Sequence, residues 1–498
     1  MVREGFSKPI YCTKATSELL DIMLQDSAHI QEMEAQWEAK KYSRRGLKNP
    51  PAALYTTEDA LKTAELLHPV AYHEVFEPAP GIKVTYYDAG HILGSGSLRL
   101  EVTEDDKTTS IIFSGDIGRP QALIVRDPES PPKADYIFME STYGDRNHKD
   151  EDISDQELAD AIAYSYSKGE KVIIPAFAVE RTQEILYCLH ILQSKGKLPA
   201  DMPVFVDSPL AIRATEVFRR NRELFDEDVQ KMLHQGDDPF ELPNLRYTLD
   251  AAESQSINDY KGPAIIISAS GMCNAGRVRH HLKHNIWKPG ASIVFVGYQA
   301  VGTPGRKIVE KASKITLFGE DMDIAARIYT INGFSAHAGQ DQLLSWLEPL
   351  VHDKANVVLV HGEEKAQTTL SGLIKEKFAG ARLYGRDDPR RPSGGPDRPA
   401  RGPGPSPHQL GLPHRRSGTQ VGHVQGQAGR RGAEPLGPAD RTAGRPGQDG
   451  LRPDPAPFPH VTALRGAALG PRPSALYGMP RPPIDGRAAP QVKVLSLP

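Results

Sequence analysis

The sequence predicts an α/β fold for its first 385 residues. Short apolar runs rich in β-branched residues recur along this part of the chain, and segments with helical apolar spacing lie between them. Strands that alternate with helices are typical of an α/β architecture. Composition sets the limit of the folded part, because the last 113 residues contain 22 Pro and 18 Gly. So much Pro and Gly is not typical of a packed domain.

The individual elements follow from their apolar patterns. Short apolar runs bounded by turn residues predict buried strands at 83–87, 110–113, 136–139, 172–174, 204–206, 264–268, 292–296 and 357–360. Apolar residues at helical spacing predict helices over 181–193 and 340–349. A further helix over 209–220 has Ser208 as its predicted N-cap. The chain continues with a predicted helix near 364–378.

The net charge of −3 conceals two parts of opposite sign. Residues 386–498 carry a net charge of +9, and the first 385 residues carry −12. An acidic body has no bulk attraction for nucleic acid, so RNA or DNA binding would need a local basic patch.

Several classes of protein are excluded by what the sequence lacks. It has no run of about 18 apolar residues that could form a transmembrane helix, so we expect no membrane partner. Its first residues lack the apolar core of a secretory signal. The cysteines, Cys12, Cys188 and Cys273, are too widely spaced for a disulfide framework or a Cys-x-x-Cys zinc site. We therefore expect a cytoplasmic protein.

Polar residues follow several of the predicted strands directly or after a short turn. They are His91, Asp116, Glu140, Ser208 and His361. In open α/β folds, ligands bind at the carboxyl ends of the strands. The pattern predicts a functional site built from these ends. For Ser208 the helix N-cap is at least as good an interpretation as a role in chemistry.

Three of these residues are candidate metal ligands. His91 lies in a Gly-rich turn, Asp116 lies between two glycines, and His361 follows a strand directly. Each residue alone is better explained as a loop histidine or a turn-capping aspartate. Together they supply the nitrogen and oxygen ligands that zinc or manganese accepts. Three ligands would nearly satisfy one metal site but not two.

Five motifs make a family resemblance specific. In chain order they are Asp88-Ala-Gly-His-Ile-Leu-Gly-Ser95, Phe113-Ser-Gly-Asp116, Glu140-Ser-Thr-Tyr-Gly144, Gly333-Phe-Ser-Ala-His-Ala338 and Val360-His-Gly-Glu363. This sequence resembles the β-CASP branch of the metallo-β-lactamase superfamily, which contains RNA-processing nucleases. The resemblance covers about residues 1–385. It implies an αββα sandwich formed by 1–145 and 331–385, with an inserted α/β β-CASP domain at 146–330.

The resemblance also implies roles for single residues. His91 would bind a first zinc ion, His361 a second, and Asp116 would bridge the two. Glu140 would orient His337, which would contact the scissile phosphate and protonate the leaving oxygen. The implied activity is zinc-dependent hydrolysis of RNA phosphodiester bonds by metal-activated water, with two zinc ions in a complete site.

The β-CASP segment also contains candidate contacts to single-stranded RNA. They are Arg181, Ser270, Arg277, His280, His281, Lys283, His284 and Arg306. Several of them form a dense basic patch within 277–288, which suits phosphate groups. Three alternatives stay open for this patch. His280 and His284 share a helix face and could bind zinc, the segment is a solvated helix face, or its residues pack into the cleft.

The sequence departs from the family at both ends. No His-x-His occurs anywhere, so the family motif His-x-His-x-Asp-His is absent from these 498 residues. We expect the opening strands of the first domain to be missing, with weak zinc binding and impaired activity. The alternative is a non-catalytic RNA-binding or assembly partner. A small-molecule metallo-hydrolase is less favoured, and a homodimer is left open.

The tail at 386–498 changes character abruptly. It is rich in Arg and poor in Lys and apolar residues, so it cannot bury enough apolar surface to fold alone. We favour a shifted reading frame as its origin over an Arg-rich RNA-binding tail, because the change falls where closing strands are expected. Either origin predicts a disordered segment.

Overall fold

The computed structural model describes residues 1–148, 151–331, 333 and 335–384. The prediction of a disordered tail at 386–498 lies outside the described residues. None of the helices in the described ranges has both the length and the apolar character needed to cross a membrane.

The described residues form alternating strands and helices. The strands are β1 Ile10–Thr13, β2 Leu67–Val70, β3 Val75–Ala79, β4 Ile82–Asp88, β5 Gly96–Glu104, β6 Lys107–Phe113, β7 Tyr136–Met139, β8 Lys171–Pro175, β9 Val204–Val206, β10 Leu245–Tyr247, β11 Ala264–Ser268, β12 Ser292–Phe295, β13 Lys314–Leu317, β14 Glu320–Asp323, β15 Arg327–Thr330, β16 Asn356–Leu359 and β17 Arg382–Tyr384. The α-helices are α1 Lys14–Arg44, α2 Thr57–Ala64, α3 Glu151–Ser167, α4 Arg181–Ser194, α5 Pro209–Arg220, α6 Glu227–His234, α7 Ala251–Asp259, α8 Val278–Asn285, α9 Pro304–Val309, α10 Gln340–Leu347 and α11 Glu364–Lys377.

A seven-stranded mixed sheet has the strand order β17-β16-β7-β6-β5-β4-β3. Strands β3 to β6 form an antiparallel meander. Strand β7 pairs in parallel with β6 on one side and β16 on the other, and β17 continues the parallel part. Because two antiparallel steps separate β4 from β6, the carboxyl ends of β4, β6, β7 and β16 reach the same edge of the sheet.

A second, fully parallel sheet has the order β10-β9-β11-β8-β12-β15. Its strands all lie between β7 and β16 in the sequence. Every residue of β8, β9, β11 and β12 is buried, because helices cover both faces of a parallel sheet. Two small sheets complete the fold, the parallel pair β1–β2 and the hairpin β13–β14.

The predicted α/β class is confirmed. All the predicted strands form, with ends that shift by a few residues, and the predicted helices correspond to α4, α5, α10 and α11. The Ser208 hydroxyl accepts a hydrogen bond from the Ala211 amide, so its prediction as the N-cap of α5 is also confirmed.

The longest helix, α1, was not predicted. Its 31 residues bury only Ala15, Leu19 and Ala28, so no apolar stripe marks it in the sequence. Strands β1 and β2 were also missed, because each has four residues and β2 includes a proline.

Candidate active site

The carboxylate of Asp116 lies between two histidine rings. Asp116 Oδ2 is 3.9 Å from His91 Nε2, and Asp116 Oδ1 is 3.6 Å from His361 Nε2. His91 follows β4, Asp116 follows β6 and His361 follows β16, so all three lie at one edge of the mixed sheet. The structure thus brings the predicted metal ligands together, and each oxygen of Asp116 faces a different histidine.

Glycines allow the loops of the site to approach each other closely. The Gly118 amide donates to the Ala89 carbonyl at 2.7 Å. A Cβ atom at Gly118 would lie 1.7 Å from the Gly90 carbonyl oxygen, so only glycine fits here. Within the loop that carries His91, the Ser95 hydroxyl accepts a hydrogen bond from the His91 amide at 3.0 Å. These contacts fix the backbone that carries His91.

His337 is paired with a buried glutamate, as the resemblance implied. His337 Nδ1 donates to Glu140 Oε1 at 3.0 Å and is 3.2 Å from Glu140 Oε2. Glu140 is almost fully buried and also accepts the amide of Ile117 at 2.5 Å. Since Nδ1 is bound to Glu140, Nε2 is the nitrogen of His337 left for a substrate or an ion.

The backbone around His337 adds a short strand-like contact to the site. The Ala338 amide donates to the Ile117 carbonyl at 2.8 Å, and the Arg119 amide donates to the Ala336 carbonyl at 3.2 Å. These bonds hold His337 beside Asp116. One ligand atom from each of His91, Asp116 and His337 lies within 4.8 Å of the others. The sequence did not place His337 in that group.

The ionisation of the site follows from burial and from the Glu140–His337 pair. Burial and, to a smaller extent, the neighbouring His337 lower the pKa of His91 to about 3, so His91 is neutral and its ring can act as a ligand. Burial alone would lower the pKa of His337, but the hydrogen bond and charge of Glu140 outweigh it and raise this pKa. In Glu140 burial opposes ionisation, yet the bond to His337 leaves its pKa lowered. Both shifts favour the charged form of the pair.

The pKa of Asp116 is raised, whereas that of Glu140 is lowered. Burial and the nearby charge of Glu140 raise the pKa of its carboxyl, and the two histidines His337 and His361 counteract this only in part. A cation between Asp116 and the histidines would reverse that balance, because it favours the ionised carboxylate.

The basic segment of α8 does not form a single exposed surface. His281 is fully buried, and its Nε2 donates to Asp207 Oδ2 at 2.6 Å. Arg277 donates to Asp207 Oδ1 at 2.7 Å, and the hydroxyls of Thr248 and Ser254 donate to the same carboxylate. Arg277 and His281 thus point towards the buried Asp207 carboxylate, and His281 has no surface to offer a phosphate.

The other basic residues of α8 remain at the surface, with partners. Lys283 Nζ is 2.9 Å from Glu320 Oε1. The His280 ring packs 4.5 Å from the Phe318 ring, centre to centre, and the Arg279 guanidinium lies over the same ring. His284 is exposed. The i, i+4 pair His280 and His284 has no third metal ligand beside it in the described part of the chain.

The remaining predicted RNA contacts lie elsewhere in the parallel-sheet region. Arg181 is buried and its guanidinium donates to Glu184. The Ser270 hydroxyl donates to Asn274 Oδ1 at 2.8 Å. Arg306 Nε is 2.6 Å from Glu310 Oε1.

Two contacts that sequence reasoning missed join the parallel-sheet region to the site. The Leu93 amide, two residues after His91, donates to the buried Glu180 carboxylate at 2.9 Å. The Tyr298 hydroxyl donates to Glu363, two residues after His361. Burial, reinforced by Glu363, raises the pKa of Tyr298 to about 12. No sequence signal marks these pairs, because their partners are 87 and 65 residues apart.

The fold and the site together define a metal-dependent hydrolase class, and comparison with known proteins makes the class precise. The Beta-Casp domain matches residues 182–308, and the Zn-dependent metallo-hydrolase RNA specificity domain matches residues 321–384. The chain therefore belongs to the β-CASP family of metallo-β-lactamase-fold RNA nucleases, which confirms the resemblance seen in the motifs.

Two kinds of relative illustrate the family. The chain is 34% identical over 374 residues to Ribonuclease TTHA0252 of Thermus thermophilus. The matched segment covers 75% of this chain and 80% of the ribonuclease. It is 31% identical over 382 residues to the Transcription termination factor FttA of Thermococcus kodakarensis, and this match covers 75% of the chain. The chain spans 56% of that termination factor and 58% of the one from Methanocaldococcus jannaschii, to which it is 29% identical.

Proposed function

We propose that the chain binds single-stranded RNA and that its site is built to hydrolyse RNA phosphodiester bonds with zinc. The observation that carries this proposal is the Asp116 carboxylate, whose two oxygens face His91 and His361 beside the buried Glu140–His337 pair. RNA as the substrate is supported by the RNA specificity domain that matches residues 321–384 and by the name of the ribonuclease relative.

The residues present suit zinc in type. His91 and His361 would supply nitrogen ligands, and Asp116 would supply oxygen ligands. When bound, zinc would lower the pKa of a water molecule and neutralise charge on the phosphate. In number the set is incomplete, because four ligands surround zinc in most protein sites. We therefore propose that the polypeptide of these 498 residues binds zinc weakly.

His337 would contact the scissile phosphate and supply a proton. Its Nδ1 is bound to Glu140, which fixes the orientation of the ring and leaves Nε2 for the Asp116 cluster. The raised pKa of His337 favours its protonated form, as general-acid catalysis requires. Glu140 is a positioning residue here, because it acts through His337.

For contact with the RNA strand, we propose those predicted residues of the parallel-sheet region that are at least partly exposed. These are Ser270, His280, Lys283, His284 and Arg306. His281 and Arg277 are left out because Asp207 holds them, and Arg181 is left out because it is buried against Glu184. A cytoplasmic location and a homodimer remain predictions.

The proposal is tested with the full purified chain and a labelled, unstructured RNA. We expect zinc-dependent cleavage that Asp116→Asn and His337→Ala each reduce by about a hundredfold or more, with RNA binding largely unchanged. The control is His234→Ala, which removes an exposed histidine at the end of α6. A chain that neither binds nor cleaves RNA would refute the proposal.

A second candidate function is a non-catalytic RNA-binding or assembly partner. The incomplete set of three ligands favours it. RNA binding without cleavage at any zinc concentration would support this function, and cleavage lost in His361→Ala would contradict it. A small-molecule hydrolase is disfavoured by the RNA specificity domain.

A further inference from the structure

The last turns of α1 project beyond the contacts that hold the rest of the helix. Glu18 pairs with Arg220 of α5, and Asp26 pairs with Arg213 of the same helix. Glu32 then accepts hydrogen bonds from the amide and hydroxyl of Thr57 at the start of α2. Beyond Glu32, no side-chain hydrogen bond or ion pair joins α1 to another element among the described residues. At 1.5 Å per residue, this projecting end is about 18 Å long.

The projecting end is strongly cationic. Between residues 39 and 48 the chain carries five cations and no acid, Lys40, Lys41, Arg44, Arg45 and Lys48. Within the part of the chain that the structure describes, Lys41 pairs with Glu38 and no carboxylate pairs with the other four. The first 385 residues carry a net charge of −12, so this segment is a local reversal of sign.

An exposed aromatic ring lies among these cations. The Trp37 side chain is 62% exposed, and Lys41 Nζ lies 4.7 Å from the centre of its ring. A cavity of about 220 Å³ is lined by Trp37, Lys40, Lys41, Arg44 and Arg45. We call these five residues the α1 patch. Exposing a tryptophan forfeits the gain from burying it, so a monomeric fold alone does not account for Trp37.

Helix stability explains only part of the patch. Cations in the last turn interact favourably with the helix dipole, and Lys41 and Arg44 lie in that turn. Arg45 and Lys48 lie beyond the helix, and a dipole does not select an exposed tryptophan one turn earlier. An aromatic platform flanked by cations is the arrangement that binds single-stranded nucleic acid without sequence preference.

We propose that the α1 patch is a second contact site for single-stranded RNA, in which a base stacks on Trp37 and the cations contact flanking phosphates. This inference rests on the proposed function, because it assumes that RNA is the ligand. It adds a site outside the Asp116 cluster, on an element that the sequence motifs did not mark. Thr16, near the start of α1, donates its hydroxyl to Gly94 in the His91 loop, so the helix runs from the catalytic site to the patch over about 40 Å.

The test measures RNA affinity of the full chain by fluorescence anisotropy with a labelled single-stranded oligouridylate. We expect Trp37→Ala to weaken binding about tenfold, as loss of one stacked base does. Replacing Lys40, Lys41, Arg44 and Arg45 by Gln should weaken binding further. It should also reduce the slope of log affinity against log salt by about 3, at about 0.7 per lost phosphate contact.

Matched controls remove the same groups elsewhere. Trp287→Ala removes another exposed tryptophan, and Gln at Lys195, Lys197, Lys375 and Lys377 removes four exposed cations. Both controls should leave affinity and salt slope within about twofold of the unchanged chain. Circular dichroism should show that all variants are folded.

The outcomes separate this inference from the proposed function. If the unchanged chain binds RNA and the patch variants bind it equally well, the patch inference is wrong and the proposed function stands. If the unchanged chain does not bind RNA at all, the proposed function fails first. Loss of binding to phosphatidylserine vesicles in the patch variants, with RNA binding unchanged, would assign the patch to a membrane surface and overturn the inference.

Discussion

The Asp207→Asn variant should be much less stable than the unchanged chain in its parallel-sheet region. Asp and Asn are nearly equal in size, so size alone would not predict this loss. Asp207 is fully buried and accepts hydrogen bonds from Arg277, His281, Thr248 and Ser254. An amide has one acceptor oxygen and presents N–H groups to these donors, so at least one buried partner is left unsatisfied. Breaking a buried charged pair costs about 3–5 kcal/mol.

The expected change is large enough for routine thermal unfolding. A loss of that size corresponds to a decrease in Tm of about 10 °C, at roughly 2–4 °C per kcal/mol for domains of this size. The control is Asp237→Asn, which breaks another Asp–His pair. Asp237 Oδ1 is 3.1 Å from His190 Nε2, but the Asp237 side chain is 51% exposed. An exposed pair contributes about 1 kcal/mol or less.

The pH dependence gives an independent check. Burial of Asp207 opposes ionisation, but the hydrogen bonds from His281, Thr248 and Ser254 outweigh it and lower the pKa of Asp207. A lowered carboxylate pKa stabilises the fold fully above the unfolded value of about 4, and that contribution is lost as pH falls. The gap between the unchanged chain and Asp207→Asn should thus be full at pH 7 and shrink below about pH 4. Equal stability of the Asp207→Asn and Asp237→Asn variants would refute the structural role assigned to His281.

Three further predictions concern the site and its supports. Glu140→Gln should lower the pKa of His337 in the metal-free chain, because the carboxylate that raises it is gone; an unchanged imidazole titration by NMR would contradict this. Ser208→Ala should cost about 1 kcal/mol in the free energy of unfolding through loss of the α5 N-cap, and urea denaturation measures it. Gly118→Ala should destabilise the chain by about 2 kcal/mol or more because its Cβ would overlap backbone. The matched Gly372→Ala, in an open position of α11, should instead stabilise it by about 0.5–1 kcal/mol, and reversal of that order would count against the close approach of the loops.

Elements with a strong local signal could be predicted from the sequence. Strands β8 and β11 are unbroken apolar runs, because both faces of a parallel sheet are covered. The ends of β4, β6, β7 and β16 carried His91, Asp116, Glu140 and His361, and topology brings such ends together. The motifs therefore indicated which strand ends meet at one edge of the mixed sheet.

What could not be predicted depends on contacts between distant residues. The sequence does not distinguish the basic residues of α8 that face the interior from those that face solvent. His281 faces the interior because its ring pairs with Asp207, which lies 74 residues earlier in the chain. Helix α1 was missed for a different reason. Its 31 residues bury only Ala15, Leu19 and Ala28, and its ion pairs with α5 are invisible to periodicity.

The order of strands in the mixed sheet has a consequence for synthesis. Strand β16 is inserted between β7 and β17, although the whole parallel sheet precedes it in the chain. Glu140 and His337 are 197 residues apart, so a ribosome working at about 5–20 residues per second needs roughly 10–40 seconds to supply the partner of the buried glutamate. During that interval β7 is an open, apolar edge that can pair with another chain. A chaperone that covers this edge should therefore raise the yield of folded protein.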